Sequence, residues 1–516
     1  MRKSIIAIFA AVPMLLSAQS SWELLQYQQT ELRGTARYMS MAGAFTALGG
    51  DLSTTTNNPG GIGVYRSSDI GVTINLDFMK GSTPGNSVSS TKFHCNNFGY
   101  IGAFKSENGA LRNINIGATY NRQNFNRRYV GGQNGLTYSL SNFIAGEPNG
   151  SLWMTTLADK TKINYLDDMG NVWGLYGITQ NPETGKTIET SGYSEFEVME
   201  QGGVNQGDFT FGGNVSDKFY WGVGFGIASL NMDTYVYNGE SLKDAFVDAD
   251  NTLDNVNYGF EHTRNTKGTG WNFKAGVIFA PISSIRIGAA IHTPTYYKMT
   301  DVYETGANSY FESEKKEHRN CSATTTVYYR LRTPLRVMAG VAGVIGTYGI
   351  VSLDYEFQKT DNMKIADDRN NQSTWSDINS DIQTYFQPTH IIKAGAEFRA
   401  TPKLSVRAGY SYQTSAVKKD VRDNVIPGTD GAIYTDMDHT SSYTVDNNTQ
   451  NLCLGLGYRH KNIYADLAYV HRIRKSSYHP YTCRVWMDET NYYVEANPTS
   501  VDSRDNNIVL TLGFRF

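Results

Sequence analysis

The ten residues that end the chain, Asn507-Ile-Val-Leu-Thr-Leu-Gly-Phe-Arg-Phe516, decide its fold. Ile508, Leu510, Leu512, Phe514 and Phe516 are apolar, and between them stand Val509, Thr511, Gly513 and Arg515. That is a period of two, the repeat of a pleated strand with one apolar face. A soluble sandwich can also end on such a strand, so the pattern has to be sought upstream.

It recurs along the whole chain. Ile70, Val72, Ile74, Leu76 and Phe78 keep one parity, and Phe219, Trp221, Val223, Phe225 and Ile227 do the same. Scored this way, strands are predicted at 69–78, 97–105, 113–121, 207–215, 219–229, 270–280, 284–293, 330–344, 348–358, 390–399, 403–412, 451–459, 462–471 and 506–516. Lys274, Arg286, Lys393, Arg407 and Asp466 fall on the other parity. A lysine or arginine facing lipid at mid-depth would cost about 2–4 kcal/mol, so in a membrane these charges must face an interior.

Connection lengths test the idea independently, because a membrane barrel alternates short periplasmic turns with long external loops. Short ones contain Ser216–Lys218, Pro281–Ser283, Gly346–Thr347, Ala400–Pro402 and His460–Lys461. Long ones cover 79–96, 122–206, 230–269, 294–329, 359–389, 413–450 and 472–505. Tyr355, Phe357, Tyr410 and Tyr412 fall near the external ends, and Phe398, Tyr458, Phe514 and Phe516 near the periplasmic ones, as interfacial girdles would. The fold class expected is all-β: a transmembrane antiparallel up-and-down barrel of about fourteen strands at 67–516, sitting in the outer membrane. Its terminal Phe516 strand resembles the signal read by the barrel insertion machinery, and a monomer is expected.

Composition agrees. Glycine (50) and tyrosine (34) are abundant and proline is scarce (13) in 516 residues. A mean hydropathy of −0.42 looks soluble, but only every second strand residue has to meet lipid. The apolar run Ile5–Leu16 after Arg2 and Lys3 is too short to span a bilayer and reads as an export signal at 1–18, cut near Ala18. A formal charge of −3 without a basic block implies no nucleic-acid partner. Cys95, Cys321, Cys453 and Cys483 have no zinc spacing and leave three oxidised pairings open.

Residues 19–66 do not alternate. Gly34 to Leu48 reads as a short helix of small residues, followed by Gly49-Gly-Asp-Leu-Ser-Thr-Thr-Thr-Asn-Asn-Pro-Gly-Gly-Ile-Gly63. Here the chain resembles the FadL/TodX family of outer-membrane transporters, whose members open with a plug, or hatch, carrying Asn-Pro-Ala. Asn58 and Pro59 match, with Gly60 in place of the alanine. Ala36, Arg37, Met39, Met41, Gly43, Ala44 and Phe45 match an upstream element of the same family. Gly270 to Gly276 with Ile287 to Tyr297, Thr333-Pro334-Leu-Arg336, and Leu353-Asp-Tyr355 look like the family's sixth to ninth strands.

The resemblance implies a channel without enzymatic activity or cofactor. It would take up hydrophobic small molecules such as long-chain fatty acids by capture in external loops, hatch rearrangement and sideways exit into outer-membrane lipid. The glycine pairs Gly49/Gly50 and Gly60/Gly61, flanking Asn58 and Pro59, are the candidate gating elements; they serve equally as turns of a static plug. Arg286, Lys393 and Arg407 are candidates to meet a carboxylate, against the commoner reading of interior ion pairs. Leu152, Trp153, Met154, Leu175, Tyr176, Phe246 and Tyr310 would form a capture groove or pack the loops together.

Other chemistry finds little footing. No His-Glu-x-x-His, Gly-x-Ser-x-Gly or Walker motif occurs, and Gly222-x-Gly-x-Gly226 lies inside a strand with no helix after it, which suits close packing of a barrel wall. Asp248, Asp250 and Asp254 hint at calcium without the glycine and glutamate such a loop needs. An outer-membrane hydrolase built on His292, His390 or His471, and a shuttle or scaffold for surface proteins, stand as alternatives.

Overall fold

Each predicted strand pairs with the next, and the last pairs with the first, so the sheet has no free edge. The computed structural model describes residues 20–27, 31–106, 109–136, 139–145, 152–180, 184, 186–422, 440–487, 490–495 and 498–516. The wall strands are β1 (Asp69–Thr83), β2 (Asn86–Lys105), β3 (Leu111–Asn134), β4 (Ser191–Val215), β5 (Phe219–Phe246) and β6 (Leu253–Ile282). Two interrupted strands follow, β7 (Ile285–His292 and Tyr296–Phe311) and β8 (Thr325–Arg332 and Arg336–Ile345). The circuit ends with β9 (Gly349–Gln358), β10 (Thr389–Arg399), β11 (Leu404–Gln413), β12 (Thr440–His460), β13 (Ile463–Met487) and β14 (Thr499–Arg515). All neighbours are antiparallel, and β14 closes on β1 through pairs such as Ile70↔Phe514 and Leu76↔Ile508. The proposed export signal at 1–18 lies outside the described residues.

Alternation puts the apolar parity outside. Ile70, Val72, Val223, Ile227, Leu353, Leu454 and Phe514 are all more than two-fifths exposed, whereas Asn75, Asp77, Lys274 and Asp354 on the opposite parity are buried. No helix among the described residues is long and apolar enough to cross a membrane.

The strands run further outward than the apolar alternation does. The segment 79–96, expected as a loop, is the tip of a hairpin in which Thr83 pairs with Asn86. β5 and β6 reach Phe246 and Leu253. Beyond the lipid band both faces meet polar surroundings, so the period-two signal fades while the hydrogen-bonded ladder continues. β7 and β8 break at one level, at Thr293-Pro294-Thr295 and Thr333-Pro334-Leu335, because proline cannot donate to the ladder. Cys95, Cys321 and Cys453 are free thiols, and the side chain of Cys483 lies outside the described residues.

Candidate functional site: the filled lumen and its side seam

From the periplasmic side the lumen is filled first by residues 34–66, which fold into short helices at Ala36–Ser40 and Thr54–Asn57 and a 3-10 turn at Pro59–Val64. They lie so close to the wall that a side chain has no room at the facing positions. A Cβ at Gly276 would stand 1.9 Å from Asn58 Oδ1, one at Gly222 2.2 Å from the Pro59 carbonyl oxygen, and one at Gly288 2.1 Å from that of Thr46. Gly395, Gly409 and Gly455 make the same room for Met41 and Ser40. A belt of inward-facing glycines therefore seats the plug, and the Gly222-x-Gly-x-Gly226 run belongs to it.

Asn58 pins the plug to that belt. Its Nδ2 donates to the Thr46 carbonyl at 2.6 Å and to that of Val277 at 3.2 Å, and its Oδ1 accepts from Gly60 N–H at 2.9 Å. Gly49 and Gly50 have positive φ, +63° and +70°, which favours glycine at both positions. Gly60 and Gly61 do not. They are small for a different reason, since Cβ atoms there would meet Gly276 and Thr54 at 2.8 Å.

The sequence-predicted cations separate in space. Arg407 is held by Glu397 at 2.7 Å and Asp466 at 2.6 Å, with Arg37 of the plug on Glu397 at 2.9 Å. Arg286 donates to the Leu48 carbonyl oxygen at 2.9 Å. Lys393 pairs with Glu356 at 2.7 Å, and it alone of the three lines the narrow polar cavity above the plug, beside Arg33, Arg122, Arg336 and Glu31.

Glu31 and Arg33, which sequence reasoning passed over, tie the plug's upper end to the wall. Glu31 meets Arg472 at 2.6 Å and Arg33 at 3.0 Å, and Arg33 meets Asp77 at 3.0 Å, all nearly solvent-free. Burial alone would raise the Glu31 carboxyl, but Arg472, Arg33 and Arg474 together hold it below the usual carboxylate range. Its pairing therefore stabilises the folded state fully above the unfolded value of about 4.3, and loses that contribution as pH falls through the depressed one. Stripping one partner from such a buried pair costs about 3–5 kcal/mol.

Above the polar cavity the lumen turns apolar. Trp22, Leu24, Leu25 and Tyr27 of the helix Ser21–Tyr27 are buried against Leu230, Met299 and Leu331 of the wall and Ile382 and Phe386 of the external segment. Trp22 packs on Tyr443 at 4.8 Å, on Phe386 at 5.5 Å and on Tyr385 at 6.1 Å between ring centroids. The loop residues divide: Leu175 is buried in a packed loop cluster, Phe246 is buried, Tyr310 is exposed, and the side chains of Leu152, Trp153 and Met154 lie outside the described residues.

Among the described strands, the wall parts in a seam between β2 and β3. β2 pairs with β3 only from Asn97↔Asn121 to Lys105↔Asn113. Beyond Asn121, β3 stays on β4 but leaves β2 and crosses behind β1, where Thr83 Oγ1 donates to the Val130 carbonyl at 2.6 Å and Arg127 reaches Asp446 at 2.8 Å. A Cβ at Gly81 would touch the Arg128 carbonyl oxygen, so glycine permits the crossing. Only side chains bridge the gap, such as Lys92 to Asn126 at 3.4 Å. The cavity over the plug reaches this seam at Asn121, Arg122 and Gln123.

His292, His390 and His471 form no shared site. His292 donates Nε2–H to the Asn57 carbonyl at 2.8 Å, His390 Nδ1 bonds Tyr355, and His471 Nδ1 bonds Asn506. Among the described residues no group of three or more His, Cys, Asp and Glu is placed to hold a metal, and Asp248 accepts from its own loop's Asp250 and Thr252 N–H groups.

A closed fourteen-strand cylinder with an apolar outside and a plugged lumen defines an outer-membrane transport barrel. Residues 214–462 match the family described as outer membrane protein transport protein (OMPP1/FadL/TodX), so the stretch from the end of β4 through β12 is similar to transporters of the FadL/TodX type. A crystal structure of a Pseudomonas aeruginosa FadL homologue is similar in fold, with a TM-score of 0.51, 12% identity, and coverage of 94% of this chain and 98% of that one. The P. putida toluene transporter TodX aligns at a TM-score of 0.48 and 12% identity over 94% of this chain and 99% of that one. The Ralstonia pickettii toluene transporter TbuX aligns at 0.44 and 12%, over 94% and 99%. No curated protein matches the chain.

Proposed function

We propose that the chain carries long-chain fatty acids or apolar molecules of similar size inward, capturing them in its external loops, displacing a hatch formed by residues 19–66, and releasing them sideways between β2 and β3. The observation that carries this reading is the continuity of the lumen: an apolar layer around Trp22, a polar cavity over the plug, and a wall seam opening from that cavity at Asn121. A straight pore would need the plug to leave; a side exit needs only a shift at its upper edge.

In this reading the gate is Asn58-Pro59 with Gly49, Gly50, Gly60 and Gly61. Lys393 meets a ligand carboxylate when it swings from Glu356, while Arg286 and Arg407 hold plug and wall. The barrel inserts through its Phe516 strand and works as a monomer, since a closed sheet offers no edge to a second copy. Native mass spectrometry of detergent-purified protein tests ligand class. Incubation with a C16 fatty acid should give a discrete adduct that Leu230→Arg abolishes, and a protein that stays bare at saturating fatty acid would defeat the reading.

A further inference from the structure

The outer face of β6 to β8 carries a basic patch that the transport reading does not use. Trp271 and Tyr296 pair across β6 and β7 with ring centroids 4.9 Å apart, both more than two-fifths exposed. Below them the same face is apolar, through Phe273, Val277, Ile291 and Val337. Above them it turns cationic. Lys298 stands opposite Arg330 and Lys267 one rung further out, opposite Thr300, while Arg332, opposite Tyr296, and its neighbour Lys364 flank the aromatic rung itself.

The alternation places all five outside. Tyr297, Met299, Tyr329, Leu331 and Ile365 between them are buried in the lumen. None of the five cations takes part in an ion pair among the described residues; Arg332 donates to the Asn362 carbonyl and side-chain oxygens, and Lys364 to Gln372. The acids that share the face are further out and engaged, Asp233 by Asn265 and Glu304 by Thr324. On the far wall Lys80 also stands opposite Arg504, but there Arg504 is paired with Asp502 at 2.9 Å.

Like charges set directly opposite across a ladder repel, so an unneutralised row of this kind costs stability unless an anion sits on it. Its height identifies the anion's source. Interfacial aromatics mark the edge of the hydrocarbon, and one or two residues beyond them a tilted strand is only a few ångströms higher, at the depth of lipid phosphates. The geometry points to a docking site for the phosphorylated headgroup of an outer-leaflet glycolipid, with its acyl chains on Phe273, Val277 and Ile291 and its phosphates between Lys267, Lys298 and Arg330.

The test uses full-length protein purified in mild detergent and titrated with lipopolysaccharide. The triple variant Lys267→Gln/Lys298→Gln/Arg330→Gln should bind at least tenfold more weakly, while Lys80→Gln/Lys475→Gln on the far side binds as the unaltered protein does. Equal loss in both variants, or no loss in the first, overturns the site. A second arm needs no mutation: dephosphorylated lipopolysaccharide should bind the unaltered protein at least tenfold more weakly, and equal binding overturns the phosphate contact. Anionic phospholipid vesicles competing as well as lipopolysaccharide would overturn the glycolipid assignment. Transport is not read in either arm, so the outcome is independent of the proposed function.

Discussion

Deleting residues 19–66 is expected to leave a barrel that inserts and migrates as a folded, heat-modifiable species, yet conducts ions steadily across planar bilayers where the full chain stays nearly closed. The wall does not depend on the plug for its ladder, because β14 pairs with β1 over most of their length. What the plug supplies is side-chain and backbone contact: Asn58 on Val277, Thr46 N–H on Asp354 at 2.6 Å, Arg33 on Asp77, and Glu31 on Arg472. Once it is gone, water enters the lumen and solvates Asp77, Asp354 and Arg472, so their loss of partners costs far less than it would in a dry interior. We expect about tenfold or more in conductance, the change from a plugged to a water-filled lumen. Unchanged conductance would contradict the plug assignment.

Gly276→Leu should unseat the plug without removing it. Its Cβ would fall 1.9 Å from Asn58 Oδ1 and 3.2 Å from the Ala289 carbonyl oxygen, and the wall backbone is fixed by pairing on both sides. The hatch must yield instead. Overpacking costs about 1–3 kcal/mol and each buried polar group left unpaired about 1–3 kcal/mol, enough together to release a plug held by a few such contacts. Leakage should rise toward that of the deletion, whereas Gly343→Leu, where nothing lies within 4 Å of the added Cβ, should leave it unchanged. Equal leakage from both variants, or from neither, would show that the glycine belt does not seat the hatch.

The barrel was legible because the bilayer imposes one rule on every strand. Ile70 to Phe78 and Ile508 to Phe516 obey it, and each predicted strand corresponds to a wall strand or the inner part of one. The rule lapses above the lipid. The Thr83–Asn86 hairpin, the outer half of β3 and the piece of β7 beyond Pro294 were hidden because their faces no longer differ in polarity. The plug's location behind Gly222, Gly276 and Gly288 had a readable trace, glycine on the inward parity of successive strands, that alternation scoring treats merely as non-apolar.

The lumen's chemistry was less visible, for a reason of distance along the chain. Glu31 meets Arg472 across 441 residues and Arg37 meets Glu397 across 360, and no local pattern announces either pair. Parity correctly turned Arg286, Lys393 and Arg407 inward, but nothing in parity reports height. Height separates Lys393, at the cavity, from Arg407, whose partners are Glu397 and Asp466. The seam at Asn121 shows in sequence only as a run of asparagines, Asn121, Asn124 and Asn126, that alternation does not explain.

The central claim is that cargo leaves through the wall between β2 and β3. It is tested most directly by measuring uptake of a labelled fatty acid with that seam bridged and unbridged. Lys92→Cys with Asn126→Cys, in a chain whose four native cysteines are alanine, can be joined by a short bis-maleimide after insertion. The account predicts that the unlinked variant transports and the linked one falls to the level of cells lacking the protein. Uptake that persists undiminished after quantitative linking would place the exit elsewhere.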